Sequence, residues 1–497
     1  GLLYTNHQKS QAIELPMLAP SESEKSQQML NFFMTTLESA SPVSGGSTQI
    51  SVKDMFVQGS NNIDLNTITD EGVRAVIAGQ IAEIFIELLE YELSITFHNK
   101  ALAYYSQDIE KHASKFLYHH INIANAFQKQ NLYNQALEQL NTAYQKVKQY
   151  KLDESVHAEA MINFGQFHME SNQVEKAQKY YERAENLAML VNDVESLGKV
   201  KYYQYLILQH ELSAQKSEQY LQQAQQYFEQ AYPNGHPDLL AVRNSLAIKY
   251  KGEGDYMKAR QMYDVLHIEN TQLYGFKDYN HMTNHADTLF YLGQFNEALN
   301  MVSESLKLIK AQGVEDGFSS MAAVVIQARC LTEIGRFDEA TAGLQLAIDY
   351  FSELYASDHL VNMVLHSYKL DLLNKSGRIS INANEEAELA AWAEEQLNES
   401  NSSRRKFVNT LIIAASSYWH KGQFQQALSL LERAAPEVKI VSKKQDWSYW
   451  LIFAGIQQLK QKLDKNYDYQ KLNTTKHHLF KLLPENHWYH VLFEHIK

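Results

Sequence analysis

A short octet returns nine times along this chain, an aromatic or aliphatic residue followed three positions later by a small one, and its spacing restricts the fold more than any other feature. The clearest copies are LGQFNEAL (Leu292–Leu299), IGRFDEAT (Ile334–Thr341), KGQFQQAL (Lys421–Leu428), EGDYMKAR (Glu253–Arg260) and QNLYNQAL (Gln130–Leu137). Weaker copies begin at Leu88, Ser171, Glu211 and Ser376, so that successive starts lie 42, 41, 40, 42, 39, 42, 42 and 45 residues apart. Such a period means that one supersecondary unit stacks on the next, each burying a face it cannot bury alone. The 497 residues are therefore read as one elongated array, not as the roughly three globular domains that length alone would suggest.

Each unit reads as helix, tight turn, helix. In the fifth, LLAVRNSLAIKY sets Leu246, Ala247 and Tyr250 on one stripe and MKARQMYDVL sets Ala259, Tyr263 and Leu266 on another. Small residues recur where two helices must approach closely: Ala82, Ala124, Gly165, Ala247, Ala286, Ala328 and Ala415 on first helices, and Ala136, Ala177, Ala259, Ala298, Ala340 and Ala427 on second ones. A large side chain there would wedge the pair apart. Gly254, Gly293, Gly335, Gly377 and Gly422 follow the first helices and supply the left-handed residue that ends them. The fourth and eighth units keep the period and lose the signature.

A small residue and an aromatic in the first helix, then Gly-x-aromatic-x-x-Ala through the turn, resembles the tetratricopeptide repeat. HPDLLAVRNSLAIKYKGEGDYMKARQMYDVL is similar to the longer repeats of the kinesin light chain family. HEAT and armadillo arrays share the period but lack that turn. The resemblance implies an all-α, right-handed α-solenoid of about nine tetratricopeptide helix pairs. Its expected parts are a linker over 1–20, an N-terminal helical segment over 21–72, the repeats over 73–440 and a C-terminal helical cap over 441–497. Within the N-terminal segment an amphipathic helix is expected through Met29, Phe32, Phe33 and Leu37. That helix, the Ser/Pro/Gly turn after it and the run ISVKDMFVQGSNNI into IAGQIAEIFIELLE resemble the region opening the repeats of bacterial transmembrane serine/threonine kinases and related membrane-anchored regulators. This second resemblance implies a kinase or winged-helix domain and a membrane helix ahead of Gly1, a periplasmic location if that helix exists and a cytoplasmic one otherwise.

The net charge of −13 and the absence of a Lys/Arg run argue against nucleic acid as a partner, and no apolar stretch is long enough to span a bilayer. Cys330, the single cysteine, excludes an internal disulfide and reads as a core residue. No phosphate loop, H-E-x-x-H, G-x-S-x-G or kinase signature occurs, so neither catalysis nor a cofactor is expected. His281 and His285 stand four apart on one helix and five histidines crowd the C-terminus, yet neither set has a carboxylate or thiolate at ligand spacing, so no metal is expected.

The inner groove is where function is expected. Positions ten, six and three residues before each turn glycine, or its equivalent, should face inward, which selects Asn125, Gln128, Asn244, Lys251, Asp287, Phe290, Arg329 and Trp419 as a peptide-binding groove. Amides there would hold a peptide backbone, and Lys251 with Arg329 would read carboxylates. Asn244 resembles the groove asparagines of kinesin light chain repeats, but Thr283 and Val325 occupy the same position in the next units, so an asparagine ladder is absent. The expected function is non-catalytic recognition of a protein or peptide by part of a bacterial signalling regulator. The alternatives are a sensor closing over a peptide pheromone or small ligand, favoured if Phe290 and Trp419 line a deep pocket, and a self-associating, homo-oligomeric scaffold.

Overall fold

The computed structural model describes residues 70–209, 214–378, 384–399, 403–485 and 487–494, with positions 54, 56, 57, 65 and 68. The amphipathic helix expected at Met29–Leu37 lies outside them. Among the described residues there is helix and no strand, and the chain divides into two compact units, 1–242 and 243–497.

Nine helical hairpins follow one another among the described residues. They pair α1 (Glu71–Glu87) with α2 (Tyr91–Tyr105), α3 (Ile109–Lys129) with α4 (Tyr133–Val147), α5 (Glu154–Glu170) with α6 (Val174–Leu190), and α7 (Val194–Leu208) with α8 (Ala214–Ala231). Next come α9 (Pro237–Gly252) with α10 (Tyr256–Tyr274), α11 (Tyr279–Tyr291) with α12 (Phe295–Ala311), α13 (Phe318–Glu333) with α14 (Phe337–Leu354), α15 (Leu360–Ser376) with α16 (Glu385–Glu399), and α17 (Arg404–His420) with α18 (Phe424–Val441). A tenth hairpin, α19 (Trp447–Lys462) with α20 (Tyr469–Leu482), and the short α21 (Trp488–Glu494) follow. Wherever its first residue is described, an octet begins at the junction between paired helices, and the architecture is an all-α, tetratricopeptide-like solenoid.

The octets that look weak keep the physics of the strong ones. Their second residue takes a left-handed conformation wherever it is described: Gly254, Gly293, Gly335, Gly377 and Gly422, but also Asn131, Asn172 and, at φ 63°, Leu89. Asparagine tolerates this region because its short side chain bonds locally, whereas leucine is strained in it. Where it is described, the seventh residue is small and buried whether it is alanine or, in the first and fourth copies, Ser94 and Ser217. Six helices that open hairpins are also capped by aspartate: Asp70, Asp108, Asp153, Asp193, Asp278 and Asp446 each accept a backbone N–H from the first turn. A cap of this kind contributes about 1 kcal/mol.

Close approach explains the glycines inside helices of the first unit. A Cβ on Gly165 would lie 2.4 Å from the Tyr181 ring, and one on Gly198 2.7 Å from Phe228. Both aromatics are fully buried, so the fourth hairpin, whose octet is degenerate, still packs an aromatic onto a glycine.

Candidate functional site

In the second unit the opening helices of successive hairpins, α11, α13, α15 and α17, carry polar and aromatic side chains toward a common interior. Asp287 accepts from Lys251 Nζ at 3.2 Å through Oδ2 and from Arg329 Nη1 at 2.9 Å through Oδ1. Burial acts to raise the Asp287 carboxyl, but the two cations override it and hold it below the ordinary carboxylate range. The Arg329 guanidinium also lies 4.1 Å from the Phe290 ring centre, 4.7 Å from Tyr368 and 5.2 Å from Tyr291. One turn further along, Lys375 Nζ donates to Glu333 Oε1 at 2.6 Å and to Asp371 Oδ2 at 2.8 Å. Burial opposes ionisation of Glu333, yet Lys375 and His487 bring its carboxyl down to about 2. At Asp371 burial wins over Lys375 and the carboxyl is raised.

The last helices complete this interior. His487 Nε2 lies 2.8 Å from Glu333 Oε2, Trp447 Nε1 donates to the Phe290 carbonyl at 3.1 Å, and Lys443 Nζ donates to Asp255 Oδ2 at 2.7 Å. Arg405 on α17 donates to Asp446 and to Ser448 Oγ and lies 4.4 Å from the Tyr291 ring centre. Two turn glycines allow the approach. A Cβ on Gly254 would sit 2.3 Å from the Val441 carbonyl oxygen, and one on Gly293 2.1 Å from that of Leu482. Residues 441–494 therefore lie against the fifth to seventh hairpins, on the face where an extended ligand was expected.

Between these walls remains a partly open cavity with about 40 Å³ available to water centres and about 530 Å³ of empty space including its mouth. Phe290, Tyr291, Tyr368, Trp447 and Tyr489 form its aromatic wall, and Arg329, Glu333, Asp371 and Lys375 its charged wall. Asn409, which donates to the Tyr291 hydroxyl at 2.9 Å, stands at its side. A smaller cavity beside it, sharing Ile412 and Tyr489, is lined by Ser416 and Trp419.

The residues selected from the sequence are thus distributed unequally. Phe290 and Arg329 line the larger cavity and Trp419 the smaller, while Asp287 stands behind Arg329 as its counter-ion. Lys251 bonds Asn284 Oδ1 at 2.8 Å as well as Asp287, so neither selected cation is unpaired. Asn244 is half-buried on α9, with Oδ1 enclosed and lacking a hydrogen-bond partner. Asn125 and Gln128 belong to the first unit, where Gln128 donates to the Phe167 carbonyl at 3.1 Å and ties adjacent hairpins together. His285 pairs with His267 at 3.0 Å, and among the described residues no group of three or more His, Cys, Asp or Glu is placed to hold a metal ion.

Neither a family model nor a curated protein sequence matches the chain. Solved structures do resemble it. The apo form of the quorum sensor NprR from B. thuringiensis aligns at 11% identity, covering 84% of this chain and 99% of that one, with a TM-score of 0.40. A Rap protein complexed with Competence and Sporulation Factor aligns at 15% identity over 73% and 97% of the two chains, TM-score 0.42. A tetratricopeptide repeat protein from Parabacteroides merdae aligns at 14% identity over 61% and 98%, TM-score 0.39. Likeness at this level says nothing of what this chain binds, and the site must be read from its own geometry.

Proposed function

We propose that this chain is a non-catalytic recognition module whose second unit closes over a compact ligand, the sensing half of a signalling regulator. The observation that carries the reading is the half-enclosed cavity in which Phe290, Trp447 and Tyr489 face Arg329, Glu333, Asp371 and Lys375. Ligand sites are concave, mostly apolar, and carry a few convergent polar groups, and this interior has that composition. An extended peptide along the fifth to seventh hairpins is the weaker reading, because residues 441–494 already make hydrogen bonds to Asp255, Phe290 and Glu333 there. The N-terminal resemblance to membrane-anchored regulators supports an effector that would receive the bound state; nothing in the geometry names it.

Native mass spectrometry of the full chain, with and without Asn409→Trp, tests the reading. The wild type is expected to retain a small molecule that denaturation releases, and the variant, with its cavity filled, to retain none at an unchanged helical content. A chain that holds no small molecule yet takes up a long peptide equally well in both forms would return the extended-groove reading.

A further inference from the structure

The cavity's four charged wall groups are two cations, Arg329 and Lys375, and two anions, Glu333 and Asp371. Their formal charges cancel. A ligand with a net charge would bring an uncompensated charge into a partly desolvated space, which is heavily penalised. A neutral but fully apolar ligand would cover the polar groups without replacing their water. A molecule with one positive and one negative end meets neither objection.

The two ends also have partners of unlike kind. Asp371 meets Lys375 through one of its oxygens, Oδ2. Its carboxyl stays raised by burial despite that lysine, as expected of an anion with incomplete compensation. Arg329 carries more N–H donors than its bonds to Asp287 and Tyr291 can use, in the planar fork suited to a carboxylate. Tyr368, whose ring lies 4.7 Å from the guanidinium, comes from the same helix as Asp371 and lines the same cavity, so an aromatic face accompanies both Arg329 and Asp371 on its wall. Such a face accepts an ammonium or an aliphatic chain equally well.

Size narrows the class. Space of about 40 Å³ for water centres corresponds to roughly three waters. That suits the charged end of an amino acid, with the side chain directed to the mouth. A peptide carries its two charged termini at opposite ends and would present only one of them here.

Building on the proposed compact-ligand reading, we propose that the cavity binds a free zwitterion of amino-acid size, its ammonium toward Asp371 and its carboxylate toward Arg329, against the aromatic wall of Tyr291, Tyr368 and Tyr489.

Isothermal titration of the full chain with alanine, leucine, N-acetylleucine, leucinamide and trileucine tests this. Alanine or leucine is expected to bind, with N-acetylleucine, which lacks the ammonium, and leucinamide, which lacks the carboxylate, each at least tenfold weaker. Asp371→Asn should bring leucine and N-acetylleucine to within about threefold of each other, and the wild-type ratios alone decide the matter if that variant does not fold. Equal or tighter binding of N-acetylleucine, leucinamide or trileucine would overturn the zwitterion; if Asn409→Trp abolishes that binding, the cavity remains the site and only the ligand class falls. No heat with any of the five probes also overturns the proposal, whereas native mass spectrometry of the retained small molecule judges the cavity independently.

Discussion

Two clusters, one in each unit, bury ionisable groups in opposite ways. In the first, His98 and His119 share a hydrogen bond at 2.9 Å, and Tyr118 donates to Glu83 at 2.6 Å beside them. Burial dominates there: it lowers the two imidazoles to about 3 and about 2, adding at His119 to repulsion from His98, and lifts Glu83 to about 7. In the second unit Asp287, Glu333, Lys375, Arg329 and Arg405 are buried as ions, because each has an opposite charge in contact. Burial extinguishes charge where no partner is built and preserves it where one is. The first interior consequently has the chemistry of a hydrogen-bonded core, the second that of a site.

Breaking the ion network should give the largest effect. Lys375→Met leaves Glu333 and Asp371 facing each other and is expected to cost about 3–5 kcal/mol. All five tryptophans lie in the second unit, so urea unfolding followed by their fluorescence reads this loss directly. His98→Leu in the first unit should leave that signal's midpoint in place and shift only the circular dichroism, by about 1–3 kcal/mol from the unpartnered His119 nitrogen. Equal shifts in both signals would mean that the two interiors do not differ as described.

Next in size is closure of the second unit. Gly335 is left-handed with no atom within 4 Å of an added Cβ, so Gly335→Ala should cost only the backbone strain, about 1–2 kcal/mol. Gly293→Ala adds a collision with the Leu482 carbonyl and should at least double that loss. Matching melting temperatures would show that α20 is not held against that turn.

The pH response should separate the units again. Glu83 is raised from its unfolded value, so the folded first unit binds its extra proton between about pH 4.5 and 7, and the contribution of Glu83 to stability falls as pH rises through that window. Glu333 is depressed, so its contribution is complete above about pH 4.5 and is lost only as pH falls toward 2. His98 and His119 act in the opposite sense, since their unfolded rings take up protons below about pH 6.5 and the buried ones do not, and the pair outweighs Glu83. From pH 5 to 8 the circular dichroism midpoint should therefore rise, Glu83→Gln should steepen that rise, and Glu333 should contribute to neither midpoint in this range. The smallest expected effect is a gain: Leu89→Gly relieves a left-handed leucine and should stabilise the first hairpin by up to about 1 kcal/mol, visible as a small rise in melting temperature.

Local rules made the hairpins legible. Wherever both positions are described, a left-handed residue and a small residue five positions later mark the turn, and substitution by Asn131, Asn172 or Ser94 changes the letters without changing the requirement. Counting back from the turn also places Phe290, Arg329 and Asp371 on the cavity wall. What was not legible is pairing across the period. Arg329 and Asp287 are 42 residues apart, as are Lys375 and Glu333, one repeat in each case, so opposite charges at that separation are the sequence signal of this pairing. The parts supplied by Trp447, His487 and Tyr489 had no such signal. They depend on how far the second unit curves before its last helices meet its first hairpins, a sum of small rotations that no short motif specifies.

That meeting has a consequence for assembly. Stacked hairpins are joined by contacts close in sequence and can form as the chain emerges, one on another. The hydrogen bonds from Lys443 to Asp255, Trp447 to Phe290 and His487 to Glu333 instead join residues 188, 157 and 154 positions apart. They cannot exist until nearly the whole second unit has been synthesised, and the loop they close costs entropy that no local contact repays. The cavity is accordingly the last part of the second unit to exist, and a nascent chain carries its repeats long before it has anywhere to put a ligand.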